Sequence, residues 1–247
     1  MSRQLPWRLA DPADSPFPPA ETALERPAGL LAIGGDLQPV RLLNAYAGGI
    51  FPWFSGDEPL LWWSPDPRMV FQADRVHLSR RFVRQLRRLE WMVTADTAFE
   101  QVMRACAQAP RPGQEGTWIS EPMVKAYVDL HRLGFAHSVE VWQGDTLVGG
   151  IYGVGIGQMF FGESMFSALS GGSKVALSAL ATLLRRQGVA VLDAQVENPH
   201  LLRMGAERWP RDRFLAHVRE AVQWPGQHES WAHTVGSIPV SDMLGRD

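Results

Sequence analysis

Two short segments in the second half of the chain carry polar side chains among bulky apolar ones. The first is Gly162-Glu163-Ser164-Met165-Phe166-Ser167 and the second is Leu192-Asp193-Ala194-Gln195-Val196. Side chains two residues apart in a strand share a face, so Asp193 and Gln195 are predicted to point the same way. Buried polar groups cost free energy unless they are hydrogen-bonded, so this pair either satisfies itself or serves a site. We interpret Asp193, Gln195 and the nearby Glu163 as candidate catalytic residues, with the pair at the C-terminal end of its strand beside Glu163.

Other catalytic chemistries find little support in the residue pattern. Phe166 occupies the second glycine position of a G-x-S-x-G nucleophile elbow, and no matched His and Asp accompany the serines. A solvated carboxylate at the end of a strand is the alternative interpretation of Glu163. The seven histidines show no paired-ligand spacing, and the single cysteine, Cys106, excludes a Cys-x-x-Cys site. We therefore expect no metal and no cofactor.

A predicted helix over residues 79–89 has a strongly basic side. Its apolar residues Phe82, Val83, Leu86 and Leu89 share one face at about 100° per residue. The opposite face is either ordinary solvated surface or a grip for phosphate groups. Lys174 follows two glycines at the start of another predicted helix, where a phosphate could also bind. The basic face carries five arginines: Arg80, Arg81, Arg84, Arg87 and Arg88.

Tryptophans are concentrated in segments rich in glycine and proline. Trp53, Trp62, Trp63 and Trp118 all lie in such loop-like stretches. Burial in the core is the ordinary fate of tryptophan, but indole faces also stack on nucleobases for about 1–3 kcal/mol each. These residues are therefore candidates for contacts with a nucleotide.

Composition limits the classes of protein that remain. The chain has 247 residues, of which 45% are hydrophobic and 20% charged, and its formal charge is -2. Nonspecific nucleic-acid binders are usually far more basic, so any contact with nucleic acid must come from a local patch. The N-terminus shows no signal-peptide pattern, and no apolar run approaches the ~18 residues that a membrane span needs. We expect a cytoplasmic monomer.

The order of predicted elements indicates an α+β fold. Three strands joined by turns are followed by a loop, a helix and a strand, which is typical of the central part of GNAT-like acetyltransferase folds. We expect a small N-terminal domain with a proline-rich leader at residues 1–67. A GNAT-like domain at 68–247 should hold a mixed, mostly antiparallel sheet flanked by helices. The predicted helices are 37–47, 79–89, 96–108, 120–133 and 173–187, and the predicted strands are 60–63, 137–142, 147–154, 158–161 and 189–196.

Several sequence blocks, taken together, resemble one known family. They are Gly34-Gly35-Asp36-Leu37, Gly49-Ile50-Phe51-Pro52-Trp53, Trp62-Trp63-Ser64-Pro65-Asp66-Pro67-Arg68, Gly116-Thr117-Trp118-Ile119, His137-Ser138-Val139-Glu140, Gly149-Gly150, Ser173-Lys174 and the two polar segments described above. In this order and spacing they resemble the bacterial leucyl/phenylalanyl-tRNA–protein transferases, over roughly residues 29 to 214. A departure occurs at Ala194, where members often have Cys; we expect its side chain to face away from Asp193 and Gln195, so that the chemistry is unaffected.

The resemblance implies an aminoacyltransferase of the N-degron pathway. Such an enzyme moves Leu or Phe, and less well Met, from aminoacyl-tRNA to proteins that begin with Arg or Lys. In the family, the position of Gln195 is proposed to accept or orient the amine proton, with Asp193 polarising it. A neutral amide is a poor base, so we interpret Gln195 as an orienting group and Asp193 as its electrostatic partner. Glu163 suits the positively charged acceptor.

The resemblance and the residue types together also suggest how the substrates bind. Trp53 and Trp118 match positions that meet the terminal adenosine or the aminoacyl group. Apolar, adaptable walls fit Leu, Phe and Met alike. The predicted substrate-binding set is Trp53, Trp118, Ile151, Phe160, Met165, Ser167 and Leu180, and our own candidates for contact with the tRNA acceptor stem are Arg80, Arg84, Arg87, Arg88 and Lys174.

Two other functions compete with this interpretation. A CoA-dependent GNAT N-acetyltransferase would have a Q/R-x-x-G-x-G/A loop before its helix, and Ser170-Gly171-Gly172-Ser173-Lys174 does not supply one. A noncatalytic tRNA- or RNA-binding module would use the tryptophans and arginines but leave Glu163, Asp193 and Gln195 unexplained.

Overall fold

A small sheet organises the N-terminal part of the computed structural model, which describes residues 5–56, 58–110, 117–226 and 229–243. Its strand order is β1-β2-β4-β3, with β1 and β2 parallel and the other neighbours antiparallel. Gly116 of the tryptophan motif and residues 1–4 lie outside the described residues. The elements are Trp7–Arg8 (β1), a 3-10 turn at Ala20–Thr22, Leu30–Ile33 (β2), Pro39–Ala47 (α1), Phe51–Pro52 (β3) and Leu61–Trp63 (β4).

A larger sheet follows, and its strands are mostly antiparallel. Among its described strands, the adjacent strands β9 and β10 are the parallel pair, and the order is β11-β5-β10-β9-β8-β7-β6-β12. This arrangement confirms the predicted mixed sheet. The strands are Arg68–Gln72 (β5), Trp91–Ala95 (β6), Ala136–Gln143 (β7), Thr146–Ile156 (β8), Met159–Ser167 (β9), Val191–Gln195 (β10), Glu207–Trp209 (β11) and Ile238–Pro239 (β12).

Helices cover both faces of the larger sheet. One face packs against α3 and α4 and shares a core with the small sheet and α1, through side chains such as Tyr46, Trp62, Val102 and Phe161. The other face packs against α5, which crosses from β9 to the parallel β10. The helices are Arg80–Leu86 (α2), Phe99–Gln108 (α3), Glu121–Arg132 (α4), Gly172–Arg186 (α5), Pro199–Arg203 (α6), Arg211–Ala221 (α7), Ala232–Val235 (α8) and Val240–Met243 (α9).

The predicted run of three strands, a helix and a strand is confirmed, with two differences that bear on function. Strand β9 extends to Ser167, opposite Gly149 of β8, so Glu163 lies within the strand and does not follow it. The basic helix ends at Leu86 and does not continue to Leu89, whose side chain is 40% exposed. Every described helix is too short or too polar to cross a lipid bilayer.

Helix α5 meets β8 by direct backbone contact. A Cβ built on Gly149 would lie 2.4 Å from the carbonyl carbon of Gly172, and one on Gly172 would lie 2.3 Å from the carbonyl oxygen of Val148. A side chain at either position would push the helix away from the sheet. The two glycines therefore set the depth at which α5 docks.

We expect Gly149→Ala to lower the free energy of unfolding by about 1–3 kcal/mol, since backbone atoms at a close contact yield poorly. Urea denaturation measures the change. Gly155→Ala in the same strand is the matched control, because its Cβ would meet His137 Cδ2 at an ordinary 3.6 Å. Equal losses in the two variants would contradict this account of helix docking.

Candidate active site

A cavity of about 480 Å³ opens between the small sheet, the middle of β9 and the C-terminal end of β10. The small sheet contributes Phe51, Pro52 and the following Trp53 to its wall, and α5 contributes Leu177. The polar segments of β9 and β10 form the opposite side. An apolar enclosure with a few convergent polar groups is the usual form of a small-ligand site.

The polar side of the cavity is anchored by a buried ion pair between Asp193 and Arg68. Arg68 Nε donates to Asp193 Oδ1 at 2.8 Å, and Arg68 Nη2 donates to Oδ2 at 2.6 Å. Both side chains are 0% exposed. Asp193 pairs with Val70 across the antiparallel strands, so Arg68 is its diagonal neighbour. The bidentate geometry fixes the carboxylate plane as well as its position.

Aromatic rings enclose the Arg68 guanidinium and complete its environment. Its central carbon lies 4.6 Å from the centre of the Phe51 ring and 4.5 Å from that of Phe214. Its remaining terminal nitrogen, Nη1, donates to the carbonyl of Gly49 at 3.1 Å. A buried guanidinium is tolerated only when its charge and its N–H groups are compensated, and all of these contacts do so.

Asp193 also shapes the backbone that follows it. Gln195 has φ +59°, a left-handed conformation that is uncommon outside glycine, and its N–H donates to Asp193 Oδ1 at 2.8 Å. The strand register shifts between Asp193 and Gln195. The predicted alternation therefore fails at Gln195, and the side-chain-to-backbone bond, not strand periodicity, brings the amide into the cavity. Ala194 also borders the cavity, and it packs against the core on the α5 side of the sheet.

Glu163 receives hydrogen bonds from three directions. Gln195 Nε2 donates to its Oε1 at 2.6 Å, the Tyr46 hydroxyl donates to Oε1 at 2.7 Å, and the Tyr127 hydroxyl donates to Oε2 at 3.1 Å. The two tyrosine hydroxyls also contact one another. Burial raises the pKa of Glu163 to about 7, against the lowering effect of its three donors, and the negative charge of Asp193 raises this pKa further.

The third carboxylate of the cavity wall, Glu197, is paired with an exposed arginine. Glu197 accepts two hydrogen bonds of 2.6 Å from Arg208, which lower its pKa. This exposed pair is unlike the buried pair of Arg68 and Asp193.

Most of the predicted site residues come together in the cavity wall. The candidate catalytic residues Glu163, Asp193 and Gln195 all line it. Of the predicted substrate-binding set, the lining residues are Trp53, Trp118, Ile151 and Met165.

The other three members of that set do not line the cavity. Phe160 is buried on the α5 side of the sheet, where its ring packs against Trp231 at 5.9 Å. Leu180 faces the same core, and Leu177, one helical turn earlier, reaches the wall in its place. Ser167 instead accepts the backbone N–H of Ser173 at 2.8 Å at the start of α5.

Sequence reasoning missed three residues of the polar network: Arg68, Tyr46 and Tyr127. Arg68 stands at the head of the apolar run Met69-Val70-Phe71, where an arginine must find a buried partner, and this was the available signal. Tyr46 and Tyr127 lie on the apolar faces of α1 and α4, where a tyrosine ordinarily belongs to the core.

The predicted tRNA-binding residues lie on or just after α2 and at the start of α5. The arginines of α2 are exposed, and Lys174 Nζ lies 5.6 Å from the centre of the Phe82 ring of the same helix. Lys174 precedes the cavity residue Leu177 by one turn of α5. Burial and, after it, the positive charges of Lys174 and Arg203 lower the pKa of His200, so Arg203 is a further cationic group near Lys174. Of the four tryptophans, Trp62 is fully buried in the core.

Comparison with known proteins identifies the family of this chain. A family model described as leucyl/phenylalanyl-tRNA protein transferase matches residues 70–219, and the model for the N-terminal domain of that family matches residues 35–66. The chain belongs to this family. Membership makes it an aminoacyltransferase with aminoacyl-tRNA as donor and a protein as acceptor. It also favours this function over a CoA-dependent acetyltransferase or a noncatalytic RNA-binding module.

Curated relatives are similar over nearly the whole chain, and each is named leucyl/phenylalanyl-tRNA–protein transferase. The protein of Xanthomonas campestris pv. campestris (strain B100) is 62% identical over 99% of this chain and 98% of the relative. Those of Xanthomonas axonopodis pv. citri and Xylella fastidiosa (strain M23) are 64% and 57% identical, each over 98% of both chains. The solved structure of FemX matches with a TM-score of 0.41 and 13% identity over 74% of this chain and 71% of that one.

We expect Arg68→Met to lower the free energy of unfolding by about 3–5 kcal/mol, because it leaves the Asp193 charge buried without a partner. Guanidinium denaturation measures the change. Adding Asp193→Asn removes that charge and should recover part of the loss. Arg208→Met, which breaks the exposed pair with Glu197, is the control and should have a much smaller effect. No recovery in the double variant would show that the ring contacts of Arg68, and not its charge, stabilise the fold.

Proposed function

We propose that the protein transfers Leu or Phe, and less well Met, to the α-amino group of proteins that begin with Arg or Lys. The product is a new peptide bond that marks the acceptor for N-degron proteolysis. The observation that carries this proposal is a cavity that combines apolar walls with the hydrogen-bonded set Glu163, Gln195 and Asp193. Apolar walls suit the transferred side chain, and the polar set suits an incoming amine.

The proposed reaction requires the protein mainly to position the acceptor amine and the aminoacyl ester. An aminoacyl ester is already activated, so transfer to an amine requires neither ATP nor a covalent enzyme intermediate. Holding the amine against the ester carbonyl can supply several kcal/mol of the barrier reduction. No cofactor is part of this proposal.

Each polar residue has a distinct task in this proposal. Gln195 orients the acceptor amine, since a neutral amide hydrogen-bonds well but is a poor base. Asp193 acts as its electrostatic partner and holds the Gln195 backbone through the 2.8 Å bond to its N–H. The carboxylate of Glu163 faces the positive charge that Arg or Lys acceptors bring. These tasks explain why the acceptor should be basic.

The donor is proposed to enter from the small-sheet side. Trp53 and Trp118 would meet the terminal adenosine or the ester, and Ile151, Met165 and Leu177 would contact the transferred side chain. Methionine and branched aliphatic walls adapt to Leu, Phe and Met better than a rigid aromatic slot does. The surface formed by Arg80, Arg84, Arg87, Arg88 and Lys174 would bind phosphates of the acceptor stem.

The wider setting is part of the same proposal. We place the reaction in the cytoplasm and take the protein as a monomer. We also divide the chain at residue 67, since the small sheet ends with Trp63 and the larger one begins at Arg68. The Asp66-Pro67 dipeptide connects the two.

We expect labelled Phe to pass from tRNA to a peptide beginning with Arg and not to its counterpart beginning with Ala, because the alanine peptide lacks the cationic side chain that Glu163 suits. Label incorporation, followed by mass spectrometry of the N-terminus, measures the outcome. A Lys peptide should also accept label. Equal labelling of the Arg and Ala peptides would overturn the proposed acceptor rule.

We expect Arg84→Glu with Arg88→Glu to weaken tRNA binding by about tenfold at moderate salt and to flatten its salt dependence, because phosphate contacts release counterions. Fluorescence titration at several salt concentrations measures both. Arg185→Glu with Arg186→Glu makes the same change of charge at the far end of α5 and serves as the control. An unchanged affinity in the first variant would remove α2 from the tRNA-binding surface.

A further inference from the structure

The carboxylates of the cavity differ in their partners. Three of the described lining residues carry one: Glu163, Asp193 and Glu197. Asp193 and Glu197 are each bound by two nitrogens of an arginine. Glu163 has only neutral hydrogen-bond donors among the described residues, namely one amide and two phenols. It is therefore the carboxylate in the cavity with room for another positive charge or proton.

The contacts around Glu163 close a ring that lacks one proton. Tyr46 contacts Glu163 Oε1, Tyr127 contacts Oε2, and the two phenols contact each other. Each of these three oxygen-to-oxygen contacts needs one proton to be a hydrogen bond, but the two phenols supply only two. An ionised Glu163 leaves one contact unsatisfied. A proton on the carboxyl group can be accommodated, because all three contacts are then hydrogen bonds, although each phenol donor on its own stabilises the carboxylate and lowers its pKa.

We propose that Glu163, with Tyr46 and Tyr127, takes up the proton that the acceptor's α-ammonium group must lose before its nitrogen can attack the ester. This inference rests on the proposed function, in which an N-terminal amine is the acceptor. Glu163 lines the cavity and is also hydrogen-bonded to Gln195, the residue proposed to orient that amine. The proton acceptor and the orienting group are thus held together.

The steps balance without any further reactant. An N–H bond of the ammonium breaks, its electron pair stays on nitrogen, and the proton goes to a Glu163 oxygen. The nitrogen attacks the ester carbonyl, a C–N bond forms, and the C–O bond to the tRNA ribose breaks. A second proton of the nitrogen leaves with the ribose oxygen as a hydroxyl. Glu163 returns its proton to solvent before the next turnover.

Neighbouring groups tune Glu163 for this exchange. Its pKa of about 7 lies within about one unit of an ordinary α-amino group, whereas an exposed glutamate lies some three units below. Tyr46 on α1 and Tyr127 on α4 keep their protons, because burial raises both of their pKa values well above 10. Asp193 on β10 is the nearby charge, and Arg68 on β5 offsets it; Tyr152 on β8 lies beyond Tyr127.

The other polar groups of the cavity are poorer acceptors. The amide of Gln195 is a weak base at either atom. Asp193 accepts hydrogen bonds at both oxygens, from the guanidinium of Arg68 and the backbone of Gln195. Its lone pairs are turned toward these donors, so it stabilises the site without receiving the proton.

The test is the pH dependence of transfer at saturating donor and saturating Arg-peptide acceptor, from pH 6 to 9. Ester hydrolysis without enzyme is subtracted. We expect Glu163→Gln to slow transfer by about 10²-fold at pH 6.5, the usual contribution of a general base, and by less than about threefold at pH 9. At high pH the amine has already lost its proton, so the base is no longer needed.

The tyrosine variants test the ring independently. Tyr46→Phe removes a donor that lowers the pKa of Glu163, so the acid limb of the profile should move to higher pH; Tyr127→Phe should act in the same direction. Tyr152→Phe is the matched control, since it is the third tyrosine of the chain and its ring meets Tyr127 edge-on. The acid limb of the Tyr152→Phe variant should lie at the same pH as that of the unmodified protein. If the Glu163→Gln variant does not fold, the positions of the acid limbs in the tyrosine variants test the inference on their own.

Two results would overturn the inference. One is a Glu163→Gln deficit that is constant from pH 6 to 9 or confined to the KM of the acceptor, which would indicate a binding role. The other is an acid limb that is the same in Tyr46→Phe, Tyr127→Phe and Tyr152→Phe. The proposed function fails separately, if the unmodified protein does not label the Arg peptide at any pH.

Discussion

The ion pair between Arg68 and Asp193 is the interaction on which the site depends. It joins β5 to β10 beneath the cavity floor, and through Gly49 and Phe51 it reaches the small sheet as well. Two buried charges are costly to desolvate, so a hydrophobic pair would hold the strands together as well or better. The ion pair instead provides directed hydrogen bonding, because Asp193 Oδ1 accepts both from Arg68 Nε and from the Gln195 backbone N–H.

A series of contacts extends from this ion pair, and each contact positions the group that makes the next one. Asp193 sets the unusual φ of Gln195, and that conformation presents the amide to Glu163. Glu163 in turn is held from the opposite side by tyrosines of two helices. This series of contacts runs from the fully buried charge of Asp193 to the half-buried carboxylate of Glu163, whose pKa lies near neutrality. In the proposed mechanism, groups held by several hydrogen bonds thus support the carboxylate that exchanges a proton.

The sequence allowed the order of strands and helices to be predicted because each element is a local pattern. Alternation marks β7 and β8, and the apolar stripe marks α5. The candidate catalytic residues stood out because they are polar side chains among apolar ones, and burying a polar group costs free energy unless it is hydrogen-bonded. They are Glu163, Asp193 and Gln195. Their partners could not be found this way, since Arg68 is 125 residues from Asp193 and Tyr46 is 117 residues from Glu163. Pairings over such separations depend on the tertiary fold, which periodicity does not encode.

The backbone contact between Gly149 and Gly172 also has a consequence for the two substrates. Helix α5 carries Lys174 on the basic surface and Leu177 on the cavity wall, three residues apart. A helix rises 1.5 Å per residue, so these positions are separated by about 4.5 Å along its axis. The helix geometry fixes that spacing, and the two glycines fix the distance of α5 from the sheet. In the proposed function, a tRNA phosphate at Lys174 and the transferred side chain at Leu177 would therefore be held at a fixed separation.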